Sequence, residues 1–288
     1  MVGDSTHTPR ETDEPQRNRG QVILIGAIAL AFIILGIVVV FNGVLYTETI
    51  SSSATSQSTA DAELTQHEVE QTVAEIVHRD NMGELSGEYS TVIDGFADYH
   101  QNVTTNSGPV ITNVSVDPNT ATEGTIARGD LGDFDTLSDD DLTDESDTLQ
   151  AGHFVLEVDP DDHGELTIDS SQSTVTIETN AGGTVEINGE PIGSDPVRID
   201  LVAGTVDGSP HSAVPRVFDP NEAYENAQAE YQGEIQGEYE IITKEDTLAV
   251  GSNTGDDPIW SVDMSFTYES NDISIEQESV FPVYGGDT

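Results

Sequence analysis

The chain has no cysteine, one tryptophan, 6% aromatic residues and eight lysines and arginines in 288 residues. Without cysteine there is no disulfide framework, thiolate zinc site, iron–sulfur cluster or cysteine nucleophile. The scarcity of basic residues argues against nucleic acid as a partner, because phosphate backbones are held mainly by clustered Lys and Arg. No Gly-x-Ser-x-Gly elbow and no Gly-x-x-x-x-Gly-Lys phosphate loop occurs. The seven histidines, His7, His67, His78, His100, His153, His163 and His211, lack His-x-x-x-His or His-Glu-x-x-His spacing. Asp159-Pro-Asp-Asp-His-Gly164 has the outline of a calcium loop. It places His163 and Ser170 where oxygen ligands belong, so an acidic turn is the better reading. The expectation is a protein without enzymatic activity, cofactor or metal site.

Acid is abundant. Fifty-five Asp and Glu give a formal net charge of −47. Four of these acids and three of the bases, Arg10, Arg17 and Arg19, precede Gln21, so the rest of the chain keeps 51 acids against five bases, with Lys244 its single lysine. Such a surface repels itself in dilute buffer, whereas in about 1 M salt the Debye length falls to about 3 Å and the repulsion is screened. Many acids and few lysines together with ordered strand patterns resemble the proteins of extremely halophilic archaea. The acidity therefore reads as adaptation to the solvent. Regular strand alternation argues against an acidic disordered chain.

From Val22 to Phe41 every residue is apolar or glycine. At about 1.5 Å per residue these positions span about 30 Å, the thickness of a bilayer's hydrocarbon core. A transmembrane helix is expected over 21–45. The early arginines all precede it, which orients residues 1–20 to the cytoplasm and the remainder to the outside. An ordinary signal peptide fits less well: the apolar stretch is long, and no Ala-x-Ala pattern follows it.

Immediately before the apolar run stands Arg19-Gly20-Gln21. This junction resembles the class III signal sequence of archaeal type IV pilins and archaellins. The resemblance implies that a prepilin-type peptidase cuts after Gly20, leaving Gln21 at the head of a hydrophobic helix that leaves the lipid and packs with other pilin-like subunits. Small residues such as Gly26, Ala29 and Gly36 would admit close helix neighbours, with Phe41 closing the assembly segment. The similarity covers Arg17 to Leu45 only. It departs from many bacterial pilins in having Ile25 where they have Glu, and the leader is long. The other reading of the same residues is an uncleaved anchor. The chain also resembles a group of haloarchaeal membrane-anchored proteins that share this helix, which implies no activity.

Beyond the apolar run, 46–103 reads as an extracellular helical region and 104–288 as a β-rich domain with an acidic, mobile loop over 120–150. Thr47 to Thr59 is either helix continuation or spacer. Asp61 reads as an N-cap, followed by Leu64, Val69, Val73, Ile76 and Val77 at helical spacing. Leu85, Tyr89, Val92, Ile93, Phe96 and Tyr99 form a second stripe. The period then changes to two, with strands expected at Val110 to Val116, Phe154 to Val158, Glu165 to Ile168, Thr174 to Thr179, Thr184 to Ile187, Val197 to Leu201, Glu234 to Ile242, Ile259 to Tyr268 and Ile273 to Phe281. Asn188-Gly189 predicts a tight hairpin. Asn102-Val-Thr and Asn113-Val-Ser are candidate glycan acceptors.

The fold class expected is α+β: an N-terminal transmembrane helix, amphipathic helices, then an antiparallel sheet or sandwich. The function expected is a structural or adhesive pilin-like surface subunit. The alternative is a permanently anchored extracellular binding or sensor domain that never polymerises. If the acidity is solvent adaptation, the exposed domain loses its circular-dichroism signature as KCl falls well below molar. A spectrum unchanged in dilute buffer would contradict this.

Overall fold

The helical spacing read from Asp61 onward belongs to a much longer element. In the computed structural model, residues 14–137, 140–143, 148–244, 248–250, 252–253 and 257–285 are described, with backbone alone at 14–23, 25, 42–56 and 252–253. Helix α1 runs without a break over Glu14–Asn81, so Asp61 is interior to it and caps nothing, and the Ser/Thr-rich stretch is helical backbone. Helix α2 follows at Tyr89–Ser107, with Leu85 left in the turn before it.

The chain divides into two units, one ending at Asp61 and the other beginning at Ala62. In the described part of the first, helix α1 carries exposed apolar side chains at Leu24, Ile28, Leu30 and from Phe32 to Phe41. Among the described residues no helix is long and apolar enough to cross a membrane. Of the run read as a span, the side chains of Val22, Ile23 and Ile25 lie outside the described residues.

The second unit is mixed α+β, and among its described residues every strand pairing is antiparallel. We number its strands of four or more residues β1 Ile111–Glu123, β2 Thr125–Asp130, β3 Ala151–Asp159, β4 Gly164–Asp169, β5 Thr174–Asn180, β6 Thr184–Ile187, β7 Glu190–Gly193, β8 Val197–Asp200, β9 Gln228–Gly233, β10 Gln236–Thr243, β11 Ile259–Glu269 and β12 Ser274–Pro282. They form a three-stranded sheet β1-β11-β12, a five-stranded sheet β9-β4-β5-β6-β7, and a central sheet in which β8-β3-β10-β2 are consecutive.

Two cores result. Phe154, Leu156 and Val158 on one face of β3 join Tyr239 and Ile241 of β10 and Leu166, Ile168, Val175 and Ile177 of the five-stranded sheet. In the other core, Val69, Val73 and Val77 of α1 and Tyr89, Ile93 and Ala97 of α2 cluster with Trp260, Val262, Met264, Phe266 and Tyr268 of β11. Those five β11 residues share one face because strand side chains alternate. Leu64 and Tyr99 were expected on the apolar stripes. They are instead more than half exposed, the buried line passing through Ala62 and Ala97.

The stretch 120–150 is not one mobile loop. After a bulge between Asp117 and Thr122, β1 pairs again with β11, and β2 lies beside β10 with Ile126 in one core and Ala127 in the other. A buried 3-10 turn carrying Leu131 and Phe134 follows. Asn188 and Gly189 take φ of 49° and 76° at the predicted hairpin, joining Ile187 to Glu190 as a two-residue turn.

Like charges stand in register on two sheets. Glu165, Glu178 and Glu186 face one another across β4, β5 and β6, and Glu157, Glu238 and Asp130 across β3, β10 and β2.

One close approach joins the cores. A Cβ added at Gly152 would meet the rings of Tyr284 and Trp260. Gly152→Val is expected to destabilise the unit by about 1–3 kcal/mol, measured by denaturant unfolding in molar KCl, since overpacking forces side chains off their rotamers. Unchanged stability would show that the Tyr284 ring can move aside.

Candidate functional site

The last turn of α1 delivers His78 and Asn81 to the central sheet. The Asn81 carboxamide accepts the Ile259 N–H at 2.8 Å, donates to the Ile259 carbonyl at 2.9 Å, and donates its second hydrogen to Tyr284 Oη at 3.1 Å. Tyr284 Oη is 3.0 Å from His78 Nδ1. Where the Tyr284 O–H donates to Nδ1, the neutral His78 proton sits on Nε2. Burial holds the Tyr284 phenol far above its usual range.

Arg128 on β2 donates from Nε to Glu240 Oε2 at 2.9 Å and from Nη2 to the Asn81 carbonyl at 3.1 Å. That second bond satisfies a carbonyl at a helix end, where no intrahelical partner exists. Glu240 lies directly across from Arg128 in the register of β10 and β2.

His153, on β3, is 7% exposed. Its Nε2 lies 3.5 Å from Glu240 Oε1, too far for a good hydrogen bond. Burial, reinforced by His78 at a ring separation of 5.2 Å, pushes His153 down to about 4, so it is neutral near pH 7. His78 is lowered too, by burial first, against the opposing pull of Glu240. Among the described residues, Tyr89 Oη, His153 Nε2, Glu240 Oε1 and Thr243 Oγ1 are buried side-chain atoms without a hydrogen-bond partner. Two of these four face each other here.

His78, Arg128, His153 and Glu240 line a cavity of about 460 Å³ with Glu84, Asp130, Glu157, Arg198 and Glu238. Its floor is the face of the central sheet turned away from the first core. Two of the five bases that follow Gln21, Arg128 and Arg198, line it. Among the described residues no group of three or more His, Asp or Glu is placed to hold a metal ion.

The residues singled out from sequence lie elsewhere. Arg19, Gly20 and Gln21 belong to the α1 backbone, their side chains outside the described residues. Gly26, Ala29, Gly36 and Phe41 are exposed, and an added Cβ at Gly26 or Gly36 would meet nothing. Asn102 is exposed on α2, its side chain donating to the Asp98 carbonyl at 2.8 Å, while Asn113 is exposed on β1 opposite Thr267. His163 closes the acidic turn against the Thr179 carbonyl at 2.9 Å.

The chain matches no family model, no curated protein and no solved structure.

The unfolded chain protonates His153 near its ordinary value of 6.5, whereas the folded state holds it neutral to about 4. The stabilising contribution is thus complete above about pH 6.5 and is lost as pH falls through that value toward 4. Relief of carboxylate repulsion in acid acts equally on wild type and on His153→Gln. Their difference isolates the histidine: between about pH 7.5 and about pH 5 the wild type should lose about 2 kcal/mol relative to the variant. Parallel pH profiles in chemical unfolding would refute this.

Proposed function

We propose that the protein is a type IV pilin-like structural or adhesive cell-surface subunit of a halophilic archaeon. The carrying observation is the contrast along α1. From Leu24 to Phe41 its described large apolar side chains are 49–68% exposed on every side of the helix, whereas from Ala62 to Val77 a single stripe is buried. A helix apolar all round needs an apolar surrounding. Membrane lipid supplies it before assembly and neighbouring copies of the same segment supply it afterwards.

In this reading residues 1–20 are a cytoplasmic leader, a prepilin-type peptidase cuts between Gly20 and Gln21, and Val22 to Phe41 crosses the membrane. Everything after Asn42 is then extracellular. Gly26, Ala29 and Gly36 permit close helix packing, and Asn102 and Asn113 are glycan acceptors on the exposed part. The domain carries no catalytic role, cofactor or nucleic-acid partner. A second reading, a permanently anchored extracellular binding domain, draws its support from the cavity around His153 and Glu240, since a structural subunit has no evident use for it.

The test is the intact mass and N-terminal peptide of the protein isolated from its own membranes. A chain beginning at Gln21 is expected, and Gly20→Phe should abolish both cutting and filament incorporation. Filaments containing an uncut Gly20→Phe subunit would overturn the pilin reading.

A further inference from the structure

The cavity of about 460 Å³ falls in the range of small-molecule sites, about 300–1,000 Å³. Five carboxylates line it against two guanidinium groups, a formal balance of −3 with both histidines neutral. An acidic lining by itself says little in a chain of this charge. What sets the place apart is a pair of buried polar atoms without a hydrogen-bond partner, a carboxylate oxygen and an imidazole nitrogen that accepts in the Nδ1–H tautomer of neutral His153. Glu240 Oε2 takes the Arg128 Nε–H, but Oε1 has no partner. His153, 7% exposed, also leaves Nε2 unpartnered, 3.5 Å from that oxygen. Leaving such atoms unfilled costs about 1–3 kcal/mol each, more at a charged group.

We propose that this cavity binds an organic cation bearing N–H donors, a primary ammonium or guanidinium group, held between Glu240 Oε1 and His153 Nε2. The two atoms are 3.5 Å apart and each is closed to solvent, so a nitrogen comes within about 2.9 Å of both as the partly exposed Glu240 carboxylate turns toward the cavity. Arg128 does not fill the role: its Nε and Nη2 donate to Glu240 Oε2 and the Asn81 carbonyl, and Oε1 is left without a partner. The cross-strand row Asp130, Glu238 and Glu157 supplies the attracting field along the sheet. Concave walls keep that field stronger than it would be on an open surface in salt. Two observations favour an organic cation over a bare metal ion. Among the described residues no three ligating side chains converge on a point, and the space far exceeds an ion. A quaternary ammonium is excluded because it has no hydrogen to give to either acceptor.

The experiment is calorimetric titration of the full-length protein in detergent and molar KCl with agmatine, and with choline and Mg²⁺ as comparison probes. Agmatine should bind saturably, choline should not bind, and Mg²⁺ should not displace agmatine. Glu240→Gln and His153→Phe should each weaken agmatine binding at least about tenfold, as expected for loss of a hydrogen bond to a charged group. Glu238→Gln alters an exposed strand position and leaves the Arg128 pair intact. It should weaken binding severalfold while retaining the native circular-dichroism spectrum, so the proposal stays testable if either buried variant fails to fold. Absence of agmatine binding, equal binding of choline, displacement by Mg²⁺, or undiminished affinity in a folded variant would each overturn the proposal. The outcome is independent of whether the leader is cut or filaments form.

Discussion

The carboxamide of Asn81 holds the helix to the sheets. It stands at the last position of α1 and uses both its donors and its oxygen at once, imitating a neighbouring strand toward the Ile259 backbone and anchoring the Tyr284 hydroxyl. Its own carbonyl is taken up by Arg128. One residue thus fixes where the helix stops, where β11 starts and how the phenol is aimed at His78. A buried polar network is strong only when its members are satisfied, and this one is satisfied up to Glu240 and His153, where it stops short.

The arrangement explains why an extremely acidic chain can fold around partly buried charge. Arg128 and Glu240 are 31% and 26% exposed at the side chain, so their pair is screened less than a surface bridge but still touches solvent. Removing Arg128 strands the Glu240 carboxylate in a cavity already rich in carboxylate. The apolar cores, by contrast, hold almost no ionisable groups: the central sheet places aromatic and aliphatic side chains on one face and collects its charges on the other.

What could be read from sequence divides along the same line. Trp260, Val262, Met264, Phe266 and Tyr268 announced their strand because one face is buried and the other wet, which produces strict alternation. Asn188-Gly189 announced its hairpin because few other residues tolerate two positive φ values in succession. Strand β2 was hidden: Arg128, Gly129 and Asp130 border the cavity and read as loop. The length of α1 was half legible, since its Ser/Thr-rich middle lacks an apolar period and reads as helix continuation or spacer, and Asp61 mimics a start. The site left no local trace. His78, His153 and Glu240 come from a helix end and two strands, and only strand register brings them together. The nearest signal was the polar identity of positions 153 and 240 beside strongly apolar strand residues.

The carboxylate rows Glu165-Glu178-Glu186 and Glu157-Glu238-Asp130 carry a consequence for what counts as the folded molecule. Like charges directly opposite one another oppose pairing of the strands, and the unfolded chain does not hold them together. Folding therefore draws mobile cations out of solution and concentrates them along the sheets. That denser cloud of counterions is part of what folding assembles, so the stability of the chain includes the salt around it.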